Sequence, residues 1–589
     1  MPQNKLSKYT LTELKKAART DISKLPGMKL AVLGDCSTQH LSEAIRGAGR
    51  LHGIGLELFD ADYDQIYAQT EDEHSELYAF KPDAVLLFLS AEKLYENFCA
   101  LDISKRGSFA SETERKLRTI HKKLLSAKNN PYIIQTLYPE YDDRVFGSYG
   151  SMLKSSFIYQ LRKLNMLIAD LCAEEGRAFT ADLSFIQNTV GRETVHDPKL
   201  YGIAKLSHTP AAIPAVAEEI VSVIEAVRGA VKKCVILDLD GTLWGGVIGD
   251  DGIGNIEIGD LGAGHAFSDF QRFLKELKNR GILLAVCSKN NESTAKEPFE
   301  KHPDMILRLS DFSAFAANWE DKASNICAIR DTLNIGFDSI VFIDDNPFER
   351  ELVRKMLPEV TVPEMPEDPA EYVDFLRREN LFGTVSFSDE DLIRTDRYHA
   401  ESERTAFAAT VSDYGEYLAA LDMKACARPF EPFWYSRIAQ LTQRSNQFNL
   451  RTVRYTEDDI CRIAEDNGYI TLYVTLSDKF GDHGLISVII LKREPDRSLF
   501  IDTWLMSCRV LKRGVEDFAA GCIAEIALKE NAPRVTGEYL PTAKNSMVSD
   551  LYEKLGFSPI GDGRFEMYPD KFVPKKNYIT KTDEQHTAR

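Results

Sequence analysis

The chain has 589 residues, 44% of them hydrophobic and 28% charged, a composition that suits a globular protein of several domains, about four by length alone. A formal net charge of −18 and a pI near 5.3 exclude a generally cationic surface, so no nucleic-acid partner is expected. The N-terminus lacks the apolar core of a signal peptide, the longest apolar runs, such as AVLLFL at 84–89, are too short to span a bilayer, and the ten cysteines show no CxxC spacing; these features predict a cytoplasmic protein without membrane association, zinc ribbon or disulfide framework.

After an N-terminal extension (1–25), a first block at 26–230 alternates the apolar runs MKLAVLGD, DAVLLFLS, NPYIIQTLY and GRAFTADLS with polar or amphipathic segments, as a parallel α/β sheet requires. It closes in the helix AAIPAVAEEIVSVIEAVRG, stopped by Gly229. The second block, 231–380, repeats the alternation with CVILDLD, ILLAVCSKN and SIVFIDDN as strands. Between the first two, Phe267, Phe270, Leu274 and Leu277 share one face of a helix stopped by Gly281. The Pro-rich, acidic VPEMPEDPAEY then ends this block along its surface. The third block, 381–575, opens with a helical pattern and moves to the strands YITLYVTLSDKF, GLISVIILKRE and SLFIDTWLMS, then to a helix beginning near Arg513, an α+β arrangement with antiparallel pairing. A polar tail at 576–589 reads as disordered. The fold class expected is therefore a multidomain α/β protein.

The chemistry concentrates in the second block. Side chains at the carboxyl ends of strands in an open parallel sheet face the crevice where ligands bind. Asp238 and Asp240 sit at one such end, Ser288-Lys289-Asn290 and Asp344-Asp345-Asn346 at two others. Lys322 falls in the first turn of a predicted helix, where an ammonium is opposed by the helix dipole unless an anion lies between them. This set suits phosphoryl chemistry. One carboxylate attacks phosphorus, another donates and accepts a proton, Mg²⁺ on acidic oxygens offsets charge, and Ser288 and Lys322 hold phosphate oxygens. An isolated DxD would more simply be a turn with a capping Asp, but here four elements agree in order and strand position.

The pattern DxDGT, Ser at the second strand, Lys at a helix start and DD at the next strand resembles the haloacid dehalogenase (HAD) superfamily. The resemblance implies Asp238 as nucleophile, Asp240 as general acid/base, Ser288, Lys322 and Thr242 as phosphate binders, and Asp238, Asp240, Asp344 and Asp345 as the Mg²⁺ set. Neither usual insertion point is long enough for a cap domain, so a capless Rossmann-like domain is expected. The longer stretches DLDGTLWGGVIGDDG, CSKNNE and FIDDNPFERE, with QLTQRSNQFNLRT further on, are similar to the FkbH-like group, subfamily IIIC. Membership implies a loader that takes a glyceryl unit from 1,3-bisphosphoglycerate, removes phosphate, holds the acyl group on a cysteine and passes it to an acyl carrier protein. The alternatives are a plain phosphatase for a small phosphorylated metabolite in cell-surface glycan or secondary-metabolite biosynthesis, and a non-catalytic scaffold.

The flanking blocks carry weaker resemblances. SCRVLKRGVEDF and NSMVSDLYEKLGF resemble the GNAT acyltransferase fold, which implies Arg509, Lys512, Arg513, Gly514 and Asn545 as a site for pantetheine or a carrier protein, with Lys512 where the first glycine of the turn is expected. LGDCSTQHL resembles the strand end of SGNH hydrolases with Cys36 in the serine place, and in KLSHTP Lys205 replaces the acid while His208 remains, which implies a non-hydrolytic, SGNH- or flavodoxin-like domain. A thioester-forming cysteine needs nearby positive charge. Cys287, beside Ser288 and in reach of Lys289 and Lys322, ranks before Cys36 and Cys508, although strand alternation would point it away from Ser288.

Overall fold

The computed structural model describes residues 7–23, 25–387, 413–445, 447–507, 510–542 and 544–582. The chain divides into two compact units, 1–228 and 229–589.

The first unit is built on a five-stranded parallel sheet of β1 (Gly27–Gly34), β2 (Gly55–Asp60), β3 (Ala84–Phe88), β4 (Tyr132–Leu137) and β5 (Ala178–Asp182), in the order β2-β1-β3-β4-β5. That is a flavodoxin-like order. The four strands expected from apolar runs are β1, β3, β4 and β5. The edge strand β2, GLELFD, is buried only at its start and so has no long apolar run to betray it. The extension contributes the helix Leu11–Ala17, opened by a Thr10–Glu13 capping box and anchored by buried Leu14. The closing helix, Ile213–Val227, presents buried residues on nearly every side, which matches its continuous apolar composition.

The second unit holds two sheets. The first is parallel, β8-β7-β6-β9, from β6 (Cys234–Leu237), β7 (Leu283–Ser288), β8 (Phe312–Ala317) and β9 (Ile340–Ile343). Every residue of β6, β7 and β9 is buried, so they read as unbroken apolar runs, whereas the edge strand β8 is half-exposed in its middle and was not expected. The helix Gly262–Asn279 packs Phe267, Phe270, Leu274 and Leu277 inward, as its periodicity predicts. Between β6 and that helix lie only a turn, the short helix Ile248–Asp251 and a Gly245–Glu257 bridge, so this connection holds no cap domain.

The second sheet has eight strands in the order β15-β16-β14-β13-β12-β11-β10-β17. They are β10 (Met423–Arg428), β11 (Tyr469–Asp478), β12 (Gly481–Arg493), β13 (Leu499–Met506), β14 (Val535–Glu538), β15 (Ser558–Gly561), β16 (Arg564–Met567) and β17 (Ile579–Lys581). Neighbours from β10 to β13 pair antiparallel, and the helix Val515–Lys529 follows β13, the α+β arrangement expected. The tail expectation needs correction at β17, which runs parallel to Met423–Ala425. Ile579 is 9% exposed there, so one apolar side chain and a free sheet edge are enough to order these residues.

Candidate active site at the carboxyl end of the parallel sheet

β6 ends in a turn because Gly241 follows the two aspartates. Its φ is +70°, and a Cβ there would stand 2.5 Å from an Asp345 carboxylate oxygen, so only glycine lets the two turns approach. Asp238 is held in register by its N–H, which donates to Ile343 O at 3.0 Å. Carboxylate oxygens of Asp238, Asp344 and Asp345 thus lie within 4.8 Å of one another, and Asp344 is fully buried. Burial, reinforced by the Asp238 charge, raises the Asp344 carboxyl to about 7 and pushes Asp345 upward too.

Lys322 offsets part of this repulsion. It opens the helix Lys322–Leu333, which Asp321 caps, and its side chain is 3% exposed with Nζ 2.7 Å from Asp238 and 2.5 Å from Asp344. Burial would lower the ammonium's pKa, but the two carboxylates hold it well above its ordinary range. Asp238 Oδ1 is buried and has no hydrogen-bond partner. An orphaned carboxylate oxygen beside two further acidic groups fits a small divalent cation, which Mg²⁺ chemistry satisfies with oxygen ligands. Ser288, 2% exposed, is the last residue of β7, at the carboxyl end of the sheet.

Asp240 takes a separate position. Its Oδ1 accepts from Trp244 Nε1 at 2.9 Å and from Ile248 N at 3.0 Å, and its Oδ2 accepts from Asn290 Nδ2 at 2.7 Å. Its side chain is therefore aimed by three donors, apart from the three carboxylates that gather within 4.8 Å. Thr242 is fully buried, and its hydroxyl donates to Asp345 Oδ1 and accepts from Asp345 N, both at 3.2 Å, so it orients that carboxylate. Trp244 and Asn290 were not expected to hold Asp240. Their only sequence signal is proximity to the two strand ends.

Alternation along β7 turns Cys287 away from Ser288, among Cys234, Ile236, Ile326 and Phe342; it is fully buried, its Sγ is 3.7 Å from Lys322 O, and burial, opposed by the Lys322 charge, raises its pKa strongly. Cys36 is buried as well, 3.4 Å from Ser207 Oγ, and burial followed by the Asp35 charge raises it. His208 Nδ1 meets that same Ser207 hydroxyl at 2.9 Å, while Lys205 pairs with Glu96, so the imidazole is oriented by a hydroxyl in place of an acid. Cys508 and Arg509 lie outside the described residues.

The remaining pantetheine set is engaged by the protein itself. Arg513 is 6% exposed and faces Asp478 and His483, at 3.8 and 3.5 Å. Gly514, φ +84°, caps the helix Val515–Lys529, but the Lys512 N–H beside it donates to Glu516, so an internal carboxylate occupies the turn. Asn545 is fully buried and donates to Asn449 O and Leu540 O at 2.9 Å while accepting from Thr542 N at 2.7 Å. β13 and β14 pair in parallel only over Leu499–Ile501 and Val535–Gly537, then separate. The opening is filled by 448–450: Met506 N donates to Phe448 O, Leu450 N to Trp504 O and Leu540 N to Leu450 O, at 3.1, 3.3 and 2.9 Å. Of the five residues, Lys512 alone presents an exposed side chain among those described.

Comparison with known proteins agrees with this architecture. Residues 29–225 match the family model described as FkbH, N-terminal domain. A search of curated proteins gives no match. Among solved structures, the N-terminal part of BF1531 from Bacteroides fragilis, containing a phosphatase domain complexed with Mg, is 45% identical, covers 64% of this chain and 100% of its own, and superposes with a TM-score of 0.62. A family 3 carbohydrate esterase from Clostridium thermocellum (13% identity, 33% of this chain, 93% of its own, TM-score 0.24) and the spermidine/spermine N-acetyltransferase SpeG from Vibrio cholerae (16%, 25%, 95%, 0.21) are also matched. With Asp238, Asp344 and Asp345 gathered around Lys322, the chain belongs to the FkbH-like family and carries a HAD-type phosphatase domain at its centre.

Proposed function

We propose that the chain is a cytoplasmic Mg²⁺-dependent enzyme that removes phosphate from a phosphoglyceryl substrate of the 1,3-bisphosphoglycerate type and loads the glyceryl unit onto an acyl carrier protein. The observation that carries the phosphatase step is the convergence of Asp238, Asp344 and Asp345 around Lys322, with one Asp238 oxygen left unpaired. Mg²⁺ held by these three carboxylates would draw charge from the transferring phosphoryl oxygens. Lys322 and Ser288 hold phosphate oxygens, and Asp238 attacks phosphorus. Asp240, aimed by Trp244, Ile248 and Asn290, protonates the leaving oxygen and then takes a proton from water. The absence of a cap domain in the connection after β6 supports a substrate presented by a larger partner, as the carrier-protein reading needs.

The burial of Cys287 and Cys36 favours a second reading, a plain phosphatase for a small phosphorylated metabolite, which needs no thioester. Intact mass after mixing the protein with Mg²⁺ and freshly generated 1,3-bisphosphoglycerate separates the two. A glyceryl or phosphoglyceryl adduct mapped to a cysteine supports the loader; steady phosphate release from simpler monoesters without an adduct leaves the plain phosphatase.

A further inference from the structure

The Pro-rich, acidic segment after β9 reaches back to the metal centre. At its start Phe342 N donates to Thr361 O at 2.9 Å and Thr361 N to Ile340 O at 3.1 Å, which fastens it alongside β9. Just beyond, Glu364 accepts from Arg350 Nη2 at 2.5 Å and also from Arg354. Arg350 is 5% exposed and its Nη1 donates to the backbone carbonyls of both Asp344 and Asp345, at 2.9 and 2.7 Å. Eight residues after Glu364, the hydroxyl of Tyr372 donates to Gly241 O at 3.3 Å, while its ring, 2% exposed, stands edge-on to Phe270. The segment therefore grips both turns whose carboxylates gather: one through Tyr372, the other through Glu364 and Arg350.

We propose that residues 360–372 form a brace that sets the separation of the two acidic turns, with Arg350, Glu364 and Tyr372 as positioning residues for the metal centre. This rests on the reading that Asp238, Asp344 and Asp345 take Mg²⁺. Mg²⁺ demands near-octahedral oxygens at about 2.0–2.1 Å, so a small drift between the turns weakens its binding more than it changes the chemistry once the ion is held. None of the three side chains touches phosphate, and their loss is expected to appear in metal affinity.

The test is calorimetric titration of Mg²⁺ into the metal-free full-length protein, beside the Mg²⁺ dependence of p-nitrophenyl phosphate hydrolysis. Tyr372→Phe removes only the hydroxyl and is expected to weaken Mg²⁺ binding about tenfold while kcat at saturating Mg²⁺ stays within about twofold. Arg350→Lys, which cannot span two carbonyls and Glu364 at once, should weaken it further. Glu364→Gln should do least, because its side chain is 63% exposed. Unchanged Mg²⁺ affinity in both Tyr372→Phe and Arg350→Lys, whether or not the thermal midpoint falls, would overturn the brace. A wild-type protein that takes up no Mg²⁺ would overturn the metal centre itself, an outcome visible before any variant is compared.

Discussion

Lys322→Met strands two buried carboxylates. The ammonium it removes is 3% exposed and lies 2.5 Å from Asp344 and 2.7 Å from Asp238. Taking one partner from a buried ion pair typically destabilises a protein by about 3–5 kcal/mol. The upper end is expected at alkaline pH. Near neutrality, the Asp344 carboxyl, already raised to about 7 by burial and the Asp238 charge, relieves the repulsion by binding a proton. The sign follows from linkage: an acid whose folded pKa is raised holds a proton that the unfolded chain has released, so the variant's stability falls as pH rises through that value. A cation that binds only the folded protein returns part of the loss, about 2.7 kcal/mol at one hundred times its dissociation constant. Urea denaturation of the full chain in EDTA and in excess Mg²⁺, at about pH 6 and about pH 8.5, reads all three terms. Equal midpoints for variant and wild type in EDTA at both pH values, or a variant midpoint that Mg²⁺ does not move, would refute the reasoning.

Gly241→Ala forces a Cβ to 2.5 Å from the Asp345 carboxylate at φ +70°, and should abolish Mg²⁺ binding in calorimetry while far-UV circular dichroism stays native. On the plain-phosphatase reading, Cys287→Ala removes only a buried thiol, so phosphate release should stay within about twofold of wild type, with a stability loss of about 1 kcal/mol. Asn545→Ala leaves Asn449 O, Leu540 O and Thr542 N without their partner and should destabilise by about 2–3 kcal/mol in urea without altering phosphate release. In the first unit, burial holds His208 down to about 4 and Asp35 up to about 7. The His208 contribution is lost as pH falls from about 6.5 to 4, whereas the Asp35 contribution is lost as pH rises from about 4 to 7. His208→Gln should therefore leave a stability that declines with rising pH across this window and Asp35→Asn one that climbs; slopes parallel to wild type in both would exclude the assignment.

The legible parts of this molecule are those set by local pattern. Apolar runs ending in carboxylates mark β6 and β9 because both are buried on two faces, and Gly241 follows from the turn after Asp240. Edge strands such as β2 and β8 lack that signal, since one flank faces solvent. Tyr372 was silent in sequence because its partner lies on a distant turn: it meets Gly241 across 131 residues of chain. Cys287 illustrates the converse. Its neighbours in sequence suggested reactivity, but alternation along β7 turns it away from Ser288 and buries it among apolar side chains, where burial outweighs the Lys322 charge. Arg513 likewise read as part of an anion site, yet it is buried facing Asp478 and His483, and the Lys512 N–H beside it donates to Glu516. Internal partners of this kind cannot be counted until distant strands are placed.

The central claim is that Asp238, supported by Mg²⁺, attacks phosphorus. Rapid quenching of the full-length protein with Mg²⁺ and a phosphoglyceryl substrate, followed by peptide mass analysis, tests it directly. The account predicts a phosphoryl group on the peptide containing Asp238 that disappears with EDTA and in Asp238→Asn, together with the release of inorganic phosphate. Phosphate release that persists in Asp238→Asn, or that proceeds equally in EDTA, would contradict it.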